Sequence, residues 1–248
     1  MKVSVITISY NSKATIERTI QSVLAQKNAD IEYIVVDGAS NDGTVQLIQQ
    51  YEANISSWIS EPDKGIYDAM NKGIELATGE LIGLLNADDY FADDNVLSTI
   101  IAAFQQNNCD AAYADLCYKK GKKVVRYWKS GRYKLNDFKL GWMPPHPTFY
   151  LRRLCYKKYG FYRTDMRSAA DYELMLRMLY KNELKTCYIP KVLVNMEVGG
   201  VSNASFKNRV QANREDQKAW EVNGLNMPWY TPILKPLRKL PQWIWKRT

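Results

Sequence analysis

Short apolar runs alternate with amphipathic helical patterns over roughly the first hundred residues. Four of the runs are typical of buried strands: VSVITI (3–8), IEYIVV (31–36), SSWIS (56–60) and LIGLL (81–85). Helical patterns follow Ser12 and Thr44 and cover residues 66–77. Strands that alternate with helices in this way form right-handed βαβ units. The pattern therefore predicts an α/β fold whose central sheet is mostly parallel and flanked by helices.

The pattern changes after about residue 105. CDAAYADLCYKKGKKVVRYW (109–128) predicts two strands joined by a basic turn. Further strands are predicted in TFYLRR and CYIPKVLVNMEV, around a helix over 171–182. Because neither a Ser- or Gly-rich linker nor an internal repeat interrupts the chain, we predict a single domain with a tail. The predicted boundaries are 1–222 for the domain, with halves 1–104 and 105–222, and 223–248 for the tail.

Composition and charge narrow the function classes. The 248 residues are 46% hydrophobic, which is enough for a sizeable core, and 34 Lys and Arg exceed 26 Asp and Glu to give a net charge of +8. A positive charge favours anionic partners. The four cysteines form no CxxC pair, and the N-terminus resembles a strand rather than a signal peptide, so we expect reduced thiols in the cytoplasm. No apolar run is long enough to span a bilayer, so any membrane contact is expected to be peripheral.

Polar residues follow three of the predicted strands directly. Ser9 and Tyr10 follow the first, Asp37 the second, and Asn86 and Asp88 the fourth. Ligands of open parallel sheets bind beyond the carboxyl ends of the strands. Alternate residues beyond a strand point the same way, so Asn86 and Asp88 are predicted to face a divalent cation such as Mg²⁺ or Mn²⁺. A second interpretation treats NADDYFADD (86–94) as a turn before a helix that Asp93 or Asp94 caps.

The order of four segments carries a more specific signal. VSVITISYN, VVDGASNDGT, SEPDKGIYDAMNKGI and GELIGLLNADD follow one another in this sequence. Together they resemble the inverting glycosyltransferases of family 2, which have the GT-A fold. The resemblance is closest over roughly the first hundred residues, and it is to small bacterial enzymes that build surface polysaccharides.

The resemblance implies a donor pocket in the half 1–104. Ser9, Tyr10 and Asp37 would hold the base and ribose of a nucleotide-sugar, expected to be a UDP-sugar. The family often has a second Asp where this chain has Gly38, which leaves the identity of the base open.

The resemblance also implies a metal site. Asp88 matches the last Asp of the family's DxD motif, which contacts the Mn²⁺ or Mg²⁺ bound to the diphosphate. Asn86 replaces the first Asp and removes one negative charge, although it still offers an oxygen ligand. Lys64, and Arg152 or Arg153, are candidate phosphate contacts. The alternative is that these side chains are ordinary surface residues exposed to solvent.

Two residues of the acceptor-side half, 105–222, are further candidates. Asp171 in SAADYELMLRML (168–179) matches the aspartate that supplies the family's general base. The residues alone favour a different interpretation, an acidic residue at the N-terminus of a helix, where the helix dipole stabilises its negative charge. His146 is the only histidine and lies between prolines in GWMPPHPTFY (141–150). Some family members use a histidine near the diphosphate, so we assign His146 to the metal site. The alternative is a histidine that is simply hydrogen-bonded within the protein.

The C-terminal tail mixes Trp and basic residues. The Trp, Lys and Arg residues lie within WYTPILKPLRKLPQWIWKRT (229–248) and are Trp229, Trp243, Trp245, Lys235, Arg238, Lys239, Lys246 and Arg247. This composition is expected at an anionic bilayer surface. A segment wrapped over the domain is an equal alternative, and no recognisable motif supports nucleic-acid binding.

These observations predict a metal-dependent inverting glycosyltransferase. It would move a sugar from a nucleotide-sugar to a hydroxyl of a surface-glycan acceptor linked to polyprenyl diphosphate. It would act in the cytoplasm or peripherally on the inner face of the cell membrane. A nucleotidyltransferase is the alternative among enzymes, although SYNSKAT (9–15) lacks the Gly-rich phosphate loop of that class. A non-catalytic protein that binds nucleotide or lipid is the alternative outside enzymes.

Overall fold

The computed structural model describes residues 1–198 and 206–244, with the side chains of 206–210 and 244 outside this description. Nine strands occur in this part of the chain: β1 (Lys2–Ser9), β2 (Asp30–Asp37), β3 (Ser57–Ser60), β4 (Leu81–Leu84), β5 (Asp89–Phe91), β6 (Ala111–Lys120), β7 (Lys123–Trp128), β8 (Tyr150–Arg152) and β9 (Thr186–Glu197). The α-helices of the same residues are α1 (Ile16–Leu24), α2 (Thr44–Gln50), α3 (Ile66–Leu76), α4 (Val96–Asn107), α5 (Arg153–Tyr159), α6 (Ala170–Met175), α7 (Phe206–Val222), α8 (Thr231–Leu237) and α9 (Pro241–Ile244). A π-helical stretch, Leu176–Lys181, continues α6.

One sheet runs through the molecule in the order β3-β2-β1-β4-β8-β6-β9-β5, with β7 added to β6. Strands β3, β2, β1 and β4 are parallel to one another, which confirms the predicted α/β fold. The chain first runs outward from β1 to β3 and then places β4 on the other side of β1. The strand order therefore reverses between β1 and β4, which is where ligands of such sheets bind.

The second half of the chain adds antiparallel pairs to this parallel part. Strand β8 pairs antiparallel with both β4 and β6, while β9 lies parallel to β6. Strand β5 pairs antiparallel with β9. The interpretation of NADDYFADD as a turn leading into a helix missed β5, because a three-residue strand that begins with Asp has no periodicity to detect. The helix after it is preceded by Asn95, not by Asp93 or Asp94.

The core lies on both faces of the sheet. In β1, Ile6 and Ile8 pack with the residues of α3 and α6, whereas Val3 and Val5 pack on the opposite face with α1 and α4. Alternate residues of a strand point to opposite faces, so a strand covered on both sides must be apolar at nearly every position. This explains why VSVITI is buried at every position and mostly apolar, with the hydroxyls of Ser4 and Thr7 each hydrogen-bonded to a neighbouring side chain.

The cysteines differ from the expectation of four reduced thiols. Cys109 and Cys187, which are 78 residues apart in sequence, are joined in a disulfide. Cys117 and Cys155 are free and buried. Cys109 lies just before β6 and Cys187 lies in β9, and the sequence could not indicate that these two strands are neighbours.

The C-terminal tail packs on the domain as far as the structure describes it. Thr231 donates a hydrogen bond to the carbonyl of Lys139, and the side chain of Arg126 donates to Gln242. A Cβ atom at Gly141 would lie 2.5 Å from the Cα atom of Lys235, so this close approach needs a glycine. The predicted tail residues Trp245, Lys246 and Arg247 lie outside the described residues. Within 1–198 and 206–244, none of the helices combines the length and apolarity needed to cross a bilayer.

Candidate functional site

Asp37 joins three strand ends at the carboxyl edge of the sheet. It is fully buried and accepts hydrogen bonds from Ser9 Oγ (2.9 Å), Ser60 Oγ (2.8 Å), and the amide (2.8 Å) and Oγ (2.6 Å) of Ser40. Ala39 adopts a positive φ of 60°, a conformation that non-glycine residues rarely use, and thereby lets the chain turn back toward Asp37. The hydrogen bonds of Asp37 thus hold the ends of β1, β2 and β3 together. Tyr10, which follows Ser9, is 65% exposed.

Asp63 occupies the space next to Gly38. A Cβ atom at Gly38 would lie 2.4 Å from Asp63 Oδ2 and 3.4 Å from Tyr10 Cδ2, so only glycine allows Asp63 to lie there. The other carboxylate oxygen of Asp63 accepts a hydrogen bond from the Gly65 amide (2.8 Å). Sequence reasoning missed Asp63, although it lies in SEPDKGIYDAMNKGI, because its distance from Gly38 depends on the loop after β3. Lys64 follows Asp63 in this loop and is exposed.

Asn86, Asp88 and Asp89 lie beyond the end of β4. The Asn86 side-chain amide donates to Asp89 Oδ2 (3.3 Å), whereas Asn86 Oδ1 and Asp89 Oδ1 are buried and have no hydrogen-bond partner among the described residues. Burial raises the pKa of Asp88 above its ordinary value, and the positive charge of Arg18 opposes this shift. The pKa of Asp89 is raised well above the ordinary value by burial and by the charge of Asp88.

These side chains fit a divalent cation that also binds a phosphate group. No cluster of three His, Cys, Asp or Glu residues able to hold a metal is present in the described part of the chain. Mg²⁺ and Mn²⁺ are commonly bound by one or two protein oxygens together with substrate phosphates and water. The buried, unpartnered Asn86 Oδ1 would gain a positive partner from such an ion. Asp88 and Asn86 are therefore the residues that would hold it.

Arg18 is a cation at this edge that the sequence did not indicate. Its guanidinium forms an ion pair with Glu197 (2.8 Å), lies 4.2 Å from the centroid of the Tyr90 ring and donates to the carbonyl of Asp88 (3.3 Å). These contacts fix a positive charge beside the Asp88 loop. Arg18 belongs to α1, so only the packing of α1 against β5 brings it there.

Asp171 lies against the first turn of α3. Tyr67 Oη donates a hydrogen bond to Asp171 Oδ1 (3.2 Å), although the two residues are 104 positions apart in sequence. The Tyr67 ring stacks on Tyr162, whose hydroxyl is hydrogen-bonded to His146 Nε2 (2.8 Å). Burial lowers the pKa of His146, and the negative charge of Asp171 opposes this shift, so the imidazole is favoured in its neutral form. Asp171 and His146 are thus close neighbours.

Arg152 and Arg153 lie away from this edge. Arg152 is paired with Leu81 at the amino end of β4, and its side chain donates to the carbonyl of Cys109. Arg153 donates to the carbonyl of Gly79. Both arginines therefore lie at the opposite edge of the sheet from Asp88, and the prediction that either contacts phosphate is wrong.

Residues 4–169 match the family described as Glycosyl transferase family 2. The chain therefore belongs to glycosyltransferase family 2. It is 34% identical over 203 residues to a glycosyltransferase of Mycobacterium tuberculosis, a match that covers 81% of this chain and 77% of the relative. It is also 41% identical over 97 residues, 38% of each chain, to a Bacillus subtilis protein named as a teichuronic acid biosynthesis glycosyltransferase.

Solved structures share the fold. A fragment of Staphylococcus aureus TarS in complex with UDP-GlcNAc has a TM-score of 0.70 and 20% identity, with 98% of this chain and 79% of that chain covered. The mannosyltransferase PcManGT of Pyrobaculum calidifontis, in complex with GDP-Man and Mn²⁺, has a TM-score of 0.66 and 18% identity, with 94% and 67% covered. The chain spans 42% of a longer S. aureus TarS chain.

Proposed function

We propose that this protein is a metal-dependent inverting glycosyltransferase. It transfers a sugar from a UDP-sugar to a hydroxyl of a surface-glycan acceptor linked to polyprenyl diphosphate. Support comes from the family, from a relative named for teichuronic acid biosynthesis, and from similar structures in complex with nucleotide-sugars. In this proposal residues 1–222 form the catalytic domain, with donor half 1–104 and acceptor half 105–222, and 223–248 form the tail.

The donor is proposed to bind over the ends of β1, β2 and β4. The exposed ring of Tyr10 offers a surface on which a nucleobase can stack, while Ser9 and Asp37 hold the loops around it. The carboxylate of Asp63 lies beside Tyr10 and offers an acceptor for an N–H group of the base. Lys64 in the same loop is proposed to contact the diphosphate.

Asn86 and Asp88 are proposed to hold Mg²⁺ or Mn²⁺ at the diphosphate. His146 joins them as a proposed contact of the metal or the diphosphate. A bound divalent ion supplies positive charge that stabilises the departing nucleoside diphosphate. The guanidinium of Arg18, fixed beside the Asp88 loop, adds a permanent positive charge on the protein side.

Asp171 is proposed as the general base. It takes the proton of the acceptor hydroxyl while that oxygen forms a bond to the anomeric carbon. The bond from this carbon to the diphosphate oxygen breaks, and the nucleoside diphosphate leaves with the electron pair. Attack from the face opposite the leaving group inverts the anomeric configuration. The Tyr67 hydroxyl fixes one carboxylate oxygen of Asp171 and leaves the other for the acceptor.

One observation carries this proposal above all others. The Tyr67–Asp171 hydrogen bond brings a carboxylate from the acceptor half to the start of the helix that follows β3, at the edge where Asp37 and Asp88 lie. A residue that merely favours the start of a helix needs no such partner. Asp171→Asn should retain donor binding and lose on the order of 100-fold or more in transfer rate. Turnover near that of the unmodified protein would contradict the proposal.

The tail is proposed to contact the inner face of the cell membrane. Its outer surface, the apolar stripe, consists of Trp229, Ile233, Leu237, Leu240 and Trp243, each more than half exposed. The three- and four-residue spacing places successive members on one side of a helix-like segment. Lys and Arg at an anionic bilayer contribute roughly 1 kcal/mol each near the surface. The tail packs on the domain and also keeps an apolar face toward the outside, and this outer face is what supports the membrane proposal.

The membrane contact can be tested on vesicles that contain phosphatidylglycerol. Leu237→Ser with Leu240→Ser should reduce sedimentation with these vesicles and leave the melting temperature unchanged, because both side chains are exposed. Leu76→Ser with Leu154→Ser removes two exposed leucines elsewhere and serves as the matched control. Equal sedimentation of the two double variants would refute a membrane role for the stripe.

A further inference from the structure

A cavity lies between the tail and the chain that follows β7. Its volume is about 360 Å³, and Trp128 and Trp142 form part of its wall. Four cationic side chains and no acidic one line it among the described residues: Lys129, Lys235, Arg238 and Lys239. Volumes of this size are typical of small-molecule sites. We call it the tail cavity.

Much of the positive charge of the tail cavity is not neutralised by the protein. Lys235 is paired with Asp216, with Nζ to carboxylate distances of 2.6 and 2.7 Å. Arg238 and Lys239 form no ion pair and no side-chain hydrogen bond with the described residues. Desolvation lowers the pKa of Lys239, and so do the positive charges of Lys235 and Arg126. Lys239 therefore lies close enough to these two cations to be repelled by them. An anion placed among them would relieve that repulsion.

The tail cavity is close to the proposed general base. The ammonium of Lys235 lies 3.8 Å from the centroid of the Tyr172 ring, and Tyr172 directly follows Asp171. The negative charges of Asp216 and Asp171 both act on Lys239 and oppose the lowering of its pKa. Asp171 does not line the tail cavity, but its charge reaches a cation that does, so a ligand bound there would lie in the neighbourhood of the proposed general base.

We propose that the tail cavity binds the diphosphate of a prenyl-diphosphate-linked acceptor through Arg238 and Lys239. This inference rests on the proposed function and adds the acceptor subsite to it. Because the charge of Asp171 reaches Lys239 of the cavity, the reacting sugar would lie near the diphosphate rather than at the far end of a long glycan. Leu237 and Leu240 of the apolar stripe flank Arg238 and Lys239 in sequence, so the lipid chain would leave the cavity toward the membrane. The alternative occupant of the tail cavity is the diphosphate of the nucleotide-sugar donor, which is the same chemical group.

Binding calorimetry on the full chain with four probes distinguishes a prenyl diphosphate from the donor diphosphate as the ligand of the tail cavity. The probes are farnesyl diphosphate, inorganic pyrophosphate, and UDP and GDP with Mn²⁺. Arg238→Ala with Lys239→Ala should weaken the binding of farnesyl diphosphate at least tenfold while the affinity for the favoured nucleotide changes less than twofold. Lys157→Ala with Lys158→Ala removes two exposed lysines of α5 and serves as the control for net charge. Arg238→Lys should retain most of the binding.

Each result has a defined meaning. No binding of farnesyl diphosphate to the unmodified protein, or equal binding to the Arg238 and Lys239 double variant, overturns the inference. A parallel loss of nucleotide affinity in that variant also overturns it, because the cavity would then serve the donor. Loss of binding to the same extent in the Lys157 and Lys158 control would reveal a general charge effect and refute a built site. If neither nucleotide binds the unmodified protein, the proposed function fails, independently of the prenyl-diphosphate result.

Discussion

The ion pair between Lys235 and Asp216 should be a principal attachment of the tail. It joins α8 to α7 at 2.6 Å, and the side chains of Lys235 and Asp216 are only 14% and 9% exposed. Lys235→Ala would leave the Asp216 carboxylate buried without its cation and would remove the contact with the Tyr172 ring. Removing one partner of a buried pair costs about 3–5 kcal/mol. For a chain of this size, that corresponds to a fall in melting temperature of about 6–20 °C.

Urea denaturation and thermal unfolding measure this loss, and limited trypsin digestion reports release of the tail. Cleavage after Arg238 and Lys239 should become faster if the segment detaches locally. The double variant Asp216→Asn with Lys235→Met removes both charges and should recover much of the lost stability, because no unpaired charge stays buried. A loss below about 1 kcal/mol for Lys235→Ala, or an equal loss in the double variant, would refute the argument.

Three further outcomes are expected. Asp88→Ala should abolish the Mn²⁺-dependent part of nucleoside-diphosphate binding in calorimetry with the fold intact, and unchanged affinity would remove the metal assignment. Gly38→Asp should weaken nucleotide binding because its Cβ meets the Asp63 carboxylate and displaces it, and Asp63→Ala alone should weaken binding as well; unchanged affinity in Asp63→Ala would count against Asp63 as a base contact. Burial would raise the pKa of Glu32, but hydrogen bonds from Ser4, Thr78 and Gly79 lower it to about 2. The stability from Glu32 is therefore present above about pH 4.5 and lost as pH falls toward about 2, so Glu32→Gln should flatten the acid limb of urea denaturation curves measured against pH, and an unchanged limb would refute it.

Local signals were sufficient for the parallel part of the fold. The runs at β1, β2, β3 and β4 and the helical pattern of α3 match the structure within a residue or two, because strands covered on both faces carry their signal within a few positions. Helix starts were less exact: Ser12 lies ahead of α1, which begins at Ile16. The predicted helix over 171–182 divides into α6 and a π-helical stretch, a difference of hydrogen-bond pattern that hydrophobic periodicity does not distinguish.

The candidate site was predictable only where its residues lie next to a strand end. Ser9, Tyr10, Asp37, Asn86 and Asp88 could be placed at one edge because parallel strands end together. Tertiary structure alone decided the rest, because contacts between distant segments depend on how strands and helices pack.

The sequence by itself determined an α/β sheet, the polar residues at its carboxyl edge, a positive charge and a tail in which Trp and basic residues alternate. Only the tertiary structure decided that Tyr67 meets Asp171, that Asp63 fills the space at Gly38, and that Cys109 and Cys187 are joined. The same holds for the tail, where Lys235, Arg238 and Lys239 line a cavity while Leu237 and Leu240 face outward. The physical reason is that side-chain periodicity is encoded over a few residues, whereas pairing across dozens of residues is fixed only when the whole core packs.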